Sequence, residues 1–453
     1  MRAETAATLF VVVVVVSSVS FAVPVGSSSG ALVREPPSGL TSGTGPGAAS
    51  SVPLSPDHGS AAPDTLSGFG AVHDVGVTGN DVRVGIVGSQ FTPEHTGIAD
   101  AVATTRRFSG GSPGLFADTS HDTAVAEIVS RTAPEAELYL ASIGTDGGPD
   151  AYADAVSWLR GQQVDVIVDA GSYFPTSADG MARLNEVAAA AAENDTAFVT
   201  SAGNYADRHW RGNGSEGWVA FGNDTRYNTL GEGEISGAVS LRLYWRGEAD
   251  YDMFLYRAES GTDPLVAKSA ANGTDEGGNT EAIDATLPEG QYYVAVRGGP
   301  EANGSTVDLF SSYHALGVSS DSGGMVAPAT AEGVIAVGAA DAVTGQPRSY
   351  SSSGPSLDIS APDGADTVAA GELYGSSAAA PLVAGTLTLM LAQNESLSPA
   401  EAQRVLQDTA IRHEGRLYLD AAGAVGAVSS TSTAGIDTNE LDWYNGTVSD
   451  EGS

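Results

Sequence analysis

Residues 375–393 read GSSAAAPLVAGTLTLMLAQ, and the rest of the chain is read outward from them. Two serines and three alanines follow Gly375, and a long apolar helix then runs to Gln393. A serine at a helix N-terminus faces free backbone N–H groups and the positive end of the dipole, which favour a developing alkoxide or oxyanion. The small residues behind it leave room for a substrate chain. Read alone, Ser376 or Ser377 is simply a helix cap.

Short apolar runs recur on both sides: Val82–Val87, Glu137–Ser142, Val164–Val168, Ala197–Ser201 and Val334–Val337. Each is too short for a helix. Helical stretches such as Thr123–Arg131 and Met181–Glu193 lie between them. Strands alternating with helices imply a parallel sheet covered on both faces, with chemistry at the carboxyl ends of its strands. Residues 209–315 break that rhythm. Ala238–Tyr244, Tyr251–Tyr256, Ala282–Leu287 and Gln291–Val296 alternate with period two, and GTDEGGN, PEGQ and GGPEANG are turn chemistry. An antiparallel β-sandwich inserted in the α/β domain is expected there, with Tyr244, Trp245, Tyr251, Phe254, Tyr256, Tyr292 and Tyr293 filling its core.

Two further segments carry chemistry-bearing residues. Ser120-His121-Asp122-Thr123 opens a helix, where a histidine can reach over a strand end as a general base. Ser201-Ala202-Gly203-Asn204 follows a buried strand, where a side-chain amide can donate to an oxyanion. Singly, these are a capping histidine and a turn asparagine. Together with Ser377 they form a series. GSSAAAPLVAG resembles the nucleophile signature of the subtilisin-like serine peptidases (GTSMAAPHVAG), HDTAVAEIV their histidine signature (HGTHVAGII), and VTSAGN their oxyanion segment (VAAAGN). VIAVGAAD, SYSSSGP and DISAPDG follow in the family's order, so the resemblance covers roughly 75–208 and 320–428.

The resemblance implies an α/β, subtilisin-like three-layer fold with a mostly parallel sheet. It implies a serine endopeptidase with Ser377 as nucleophile, His121 as base, Asn204 as oxyanion donor, and Ala170, Gly171 and Ser172 pairing with the peptide as an added strand. Of the 173 residues from Asn204 to Ser377, an insert of 107 leaves 66, an ordinary separation for the family.

One position departs from the pattern. The family's first triad strand ends in Asp (VAVIDTG), but here it reads Val84-Gly85-Ile86-Val87-Gly88-Ser89-Gln90, with Gly88 where the aspartate belongs. That aspartate holds the histidine tautomer and stabilises the imidazolium. In a subtilisin its loss lowers turnover by about 3 × 10⁴. Three outcomes stay open: a slow enzyme, a substitute carboxylate, or an inactive scaffold acting as an extracellular peptide- or surface-binding protein. Asp122 and Asp169 are the candidate substitutes. Adjacent helical side chains point in different directions, which argues against Asp122. The related sedolisins do not fit, because Asn204 is an amide and Val125 stands four residues after His121.

Composition sets the remaining expectations. With 56 acidic and 20 basic residues the net charge is −36, which excludes nucleic acid as a partner. Lys268 is the sole lysine, and the carboxylates are scattered, so they read as a solvated surface in high salt. Without cysteine, disulfides and thiolate chemistry are excluded. An apolar content of 42 % supports a real core. Residues 1–25 resemble a secretory signal, with an uncleaved anchor as the alternative and the only expected membrane contact. Residues 26–65 are a Gly/Ser/Pro-rich linker or pro-segment and 429–453 an acidic flexible tail, which leaves 66–208 and 316–428 as the two parts of the peptidase domain. Seven Asn-x-Ser/Thr sequons suit an exported protein. The chemistry needs no cofactor. No zinc set is found, and Asp250-Tyr251-Asp252 could take Ca2+, though no metal ligand is assigned.

Overall fold

The structure, a computed structural model, describes residues 32–34, 65–108, 120–144, 148–175, 178–193, 196–222, 225–270, 279–413 and 415–429. The expected signal, nearly all of the linker and the acidic tail lie outside the described residues. Two compact units divide the chain: Trp210–Val318, and an α/β unit formed by the residues on either side.

The α/β unit is built on strands β1 (Arg83–Gly88), β2 (Val102–Arg107), β3 (Glu137–Ser142), β4 (Val166–Asp169) and β5 (Ala197–Ser201). Helices α1 (Ser120–Thr132), α2 (Pro149–Gly161) and α3 (Ala178–Ala192) lie between them. Past the second unit come two more strands of this sheet, Ile335–Ala340 and Ile359–Pro362, and helix α4 (Ser376–Gln393). The sheet has nine strands; Ile359–Pro362 neighbours Ile335–Ala340, and the order then runs β5-β4-β1-β3-β2. These strands all pair in parallel, as the alternating pattern requires. A short antiparallel pair, Ile411–His413 with Arg416–Tyr418, closes the far edge.

Alternation along the strands gives two cores. Val84 and Ile86 pack in one cluster with Val125, Ile128, Leu382 and Leu387, so α1 and α4 cover that face. Val87 and Ile167 pack in another with Tyr152, Leu159, Leu184 and Ala188 of α2 and α3. Gly85 lets α2 approach, since a Cβ there would lie 2.9 Å from Leu159. Helix α4 is apolar on all sides because it is buried on all sides. Among the described residues it is the one helix long and apolar enough to cross a membrane, and 89 % of it is buried as core.

In the Trp210–Val318 unit, strands β6 (Asn228–Trp245), β7 (Tyr251–Arg257), β8 (Thr280–Gly298) and β9 (Thr306–Ser311) join Leu265–Ser269 and His209–Asn213 in one six-stranded sheet. Ala282–Leu287 and Gln291–Val296 are not two strands joined by a PEGQ turn. They are one strand, which continues where Gly290 meets Ile235 across irregular register. A bulge here bends the ladder without ending it. The expectation for the aromatics needs correction too. Trp245, Tyr251 and Tyr292 fill the core. Tyr244, Phe254, Tyr256 and Tyr293 fall on the alternate positions; Phe254 is nonetheless buried there, and Tyr256 stacks on Tyr293 with centroids 5.3 Å apart.

Candidate active site

The site lies where the strand order reverses. After β1 the chain builds β2 and β3 on one side, then crosses to build β4 and β5 on the other. Such a switch point opens a crevice beyond the carboxyl ends of the strands. Gly88, Asp169 and Ser201 end β1, β4 and β5, three neighbouring strands about 4.8 Å apart, and every candidate residue follows one of these ends or caps a helix above them.

Ser377 stands in the first turn of α4. Gly375 before it has φ +89°, and a Cβ there would fall 2.7 Å from Asn204 Nδ2, so only glycine fits. Asn204 is fully buried. Its Oδ1 accepts from Ser376 N at 3.0 Å and from Ser376 Oγ at 3.1 Å, which leaves Nδ2 as its donating end. Ser376 Oγ also meets Ser201 Oγ at 2.6 Å and accepts from Gly203 N at 3.2 Å. Of the two serines, Ser376 is therefore the structural one that ties α4 to the end of β5. Ser377 Oγ instead donates to Ala170 O at 3.0 Å, reaching the end of β4.

Ala170, Gly171 and Ser172 are buried and held from below by Asp169. Its carboxylate accepts from Gly171 N at 2.9 Å and from the hydroxyls of Tyr152 and Tyr173 at 3.0 Å each. Burial first, and then the Asp169 charge, push the Tyr152 hydroxyl well above its ordinary pKa, so it stays a donor. Asp169 thus shapes this segment through the two tyrosines and Gly171. Beyond it, Leu32–Arg34 adds an antiparallel strand to Tyr173–Pro175, with Val33 opposite Phe174.

His121 and Asp122 occupy the first turn of α1, at the end of β1. His121 Nδ1 lies 2.8 Å from Asp122 Oδ1, and both side chains are almost wholly buried. Asp122 Oδ2 accepts from Ser89 N at 2.6 Å and Gln90 N at 3.0 Å. The objection from adjacent helical directions fails because no earlier turn crowds this end of the helix, and both side chains fold toward the strand. A Cβ on Gly88 would sit 2.8 Å from Asp122 Cγ and 2.6 Å from Phe91 Cζ.

Three supports escaped the sequence reading. Glu127, buried in α1, accepts from Val368 N at 2.8 Å and Ala369 N at 3.0 Å, fixing the loop ahead of α4. Arg348 grips buried Asp363 with two bonds of 2.7 and 2.9 Å and Asp341 with a third of 2.8 Å. Asp363 O in turn accepts from Gly375 N at 2.9 Å, directly under the Ser377 turn. Ser352 Oγ accepts from Tyr205 N at 3.1 Å, beside Asn204. The SYSSSGP and DISAPDG segments carry Ser352 and Asp363, but spacing alone does not reveal whom they bond. No group of three or more His, Asp or Glu suited to a metal ion occurs among the described residues, and Asp252 faces Lys268 at 3.5 Å.

Residues 259–440 match the model of the Subtilase family; the match starts inside the inserted unit and runs through α4. No curated protein matches the chain. Among solved structures, the CspB protease of Clostridium perfringens aligns with a TM-score of 0.56 at 15 % identity, over 78 % of this chain and 94 % of that one. A protease from Pseudoalteromonas arctica aligns with a TM-score of 0.45 at 17 % identity, over 82 % of this chain and 95 % of its own. The first of these likenesses carries the fold, and residues 259–440, which include the Ser377 helix, are similar to the Subtilase family.

Proposed function

We propose that the protein is a serine endopeptidase that cleaves peptide bonds through an acyl-enzyme on Ser377. The observation that carries this reading is the convergence of three signature segments on adjoining strand ends. Ser377 is bonded just past the end of β4, Asn204 is locked to Ser376, and the His121 pair closes the end of β1.

For reaction, the Ser377 hydroxyl turns from Ala170 O to His121, which takes its proton as Oγ bonds to the scissile carbonyl carbon. Asn204 Nδ2 and a backbone N–H at the α4 N-terminus hold the oxyanion. Collapse breaks the C–N bond, and the amine leaves with the proton from His121. Water then repeats the cycle on the ester and frees Ser377. The peptide lies along Ala170–Ser172 as an added strand, and no cofactor enters. Leu32–Arg34, paired with the next residues of that edge, supports the same mode. The alternative, a peptide-binding protein on an inactive scaffold, drew its force from Gly88, and a carboxylate beside His121 weakens it.

We place this activity outside the cell, in concentrated salt. The N-terminal apolar run, the −36 charge and the near absence of lysine motivate that assignment. The test is hydrolysis of an unfolded protein in molar salt. Cleavage by the wild type and none by Ser377→Ala is expected. Equal rates for the two would refute the assignment.

A further inference from the structure

We propose that Asp122 is the positioning carboxylate of His121, delivered from helix α1 into the space that a side chain at position 88 would otherwise fill. This rests on the peptidase reading above and deepens it. Gly88 then marks a moved group, and its lack of a carboxylate is no sign of a decayed site.

Three observations carry the inference. First, Asp122 Oδ1 lies 2.8 Å from His121 Nδ1, with both residues buried, so the contact is a hydrogen bond sheltered from water. Second, the other oxygen is fixed by Ser89 N and Gln90 N, the first two amides past β1. Those bonds register the carboxylate to the end of the strand. Third, the steric account is reciprocal. A Cβ at Gly88 would be 2.8 Å from Asp122 Cγ and 2.9 Å from its Oδ2, closer than real atoms pack. Glycine at 88 therefore leaves room for Asp122, and also for Phe91, whose Cζ would lie 2.6 Å from an added Cβ.

The chemistry follows from the geometry. Ionised Asp122 accepts the Nδ1–H of neutral His121, which leaves the Nε2 lone pair free to take the Ser377 proton. Once the ring is charged, its Nδ1–H faces a carboxylate held in place. Asp122 takes no proton and touches no substrate.

The test uses the full-length protein in molar salt. Asp122→Asn keeps the size and an oxygen for Ser89 N and Gln90 N, but turns an NH2 toward Nδ1. The ring proton is then forced to Nε2, the wrong tautomer. We expect kcat to fall by about 10³- to 10⁴-fold with KM unchanged. Gly88→Asp alone should also lose turnover, because it crowds Asp122. Gly88→Asp combined with Asp122→Gly and with Phe91→Ala, which clears the 2.6 Å contact, should recover turnover relative to Asp122→Gly with Phe91→Ala, since the carboxylate then comes from the strand. A purely structural role for Asp122 gives no such recovery. Folded Asp122→Asn with wild-type kcat overturns the proposal. If that variant does not fold, a folded triple variant no faster than Asp122→Gly with Phe91→Ala overturns it. A wild type that does not react with a fluorophosphonate instead refutes the peptidase reading itself, a separate result.

Discussion

At position 204 a single amide has two duties that pull on opposite ends. Oδ1 fastens Ser376, and in the proposed reaction Nδ2 donates to the oxyanion. Asn204→Ala should lower kcat by about 10²- to 10³-fold with little change in KM, measured on a peptide substrate. Asn204→Asp should do at least as badly, because its charge opposes the oxyanion. Ser377, His121 and Asn204 stand out in the sequence because residue type and motif order coincide there. Asp122 was legible only as one of two candidate carboxylates, with helix geometry counted against it. The rule that neighbours on a helix diverge holds for the interior of a helix, and the first turn escapes it. Asp169 shows the converse. It has the right chemistry and stands beside the site, yet Tyr152, Tyr173 and Gly171 take up its carboxylate.

Among the elements, the pairing of α1 with α4 sets the distance between His121 and Ser377. They come together at Gly385, where an added Cβ would lie 1.9 Å from Thr132 Oγ1. Gly385→Val should destabilise the protein by about 1–3 kcal/mol or more, read by thermal unfolding, and should cost turnover as α1 is displaced. Arg348 is the second lever. Arg348→Met strands Asp363 with its charge buried and should cost about 3–5 kcal/mol. It should also alter acid stability. Burial opposes ionisation of Asp341, but the Thr344 N–H and hydroxyl together with Arg348 outweigh it and hold the carboxyl below its ordinary range. Its contribution is therefore full above the unfolded value near 3.8 and is lost as pH falls through the depressed folded value. Without Arg348 the folded value rises, and acid unfolding should begin at higher pH. The parallel strands and both site helices were legible because their apolar runs are short, closed and in series. β8 was not, since Pro288 and Gly290 carry local turn chemistry that pairing with β6 overrides.

Over the whole molecule the dominant quantity is charge. Fifty-six carboxylates against twenty basic groups repel one another over about 30 Å at 0.01 M salt and only about 3 Å at 1 M. The melting temperature should therefore rise steeply across that range, whereas a protein built for dilute medium would show little change. Burial and charge together also explain why the site was readable in outline but not in detail. Composition reports on the solvated surface, whereas Glu127, Ser352 and Asp363 act from buried positions through backbone partners distant in sequence. The most direct measurement of the central claim is covalent labelling of the folded protein in molar salt with a fluorophosphonate, mapped by peptide mass spectrometry. The account predicts one adduct, on Ser377, absent from Ser377→Ala and from His121→Ala. A folded wild type that takes up no label, or takes it up at a serine other than Ser377, would contradict it.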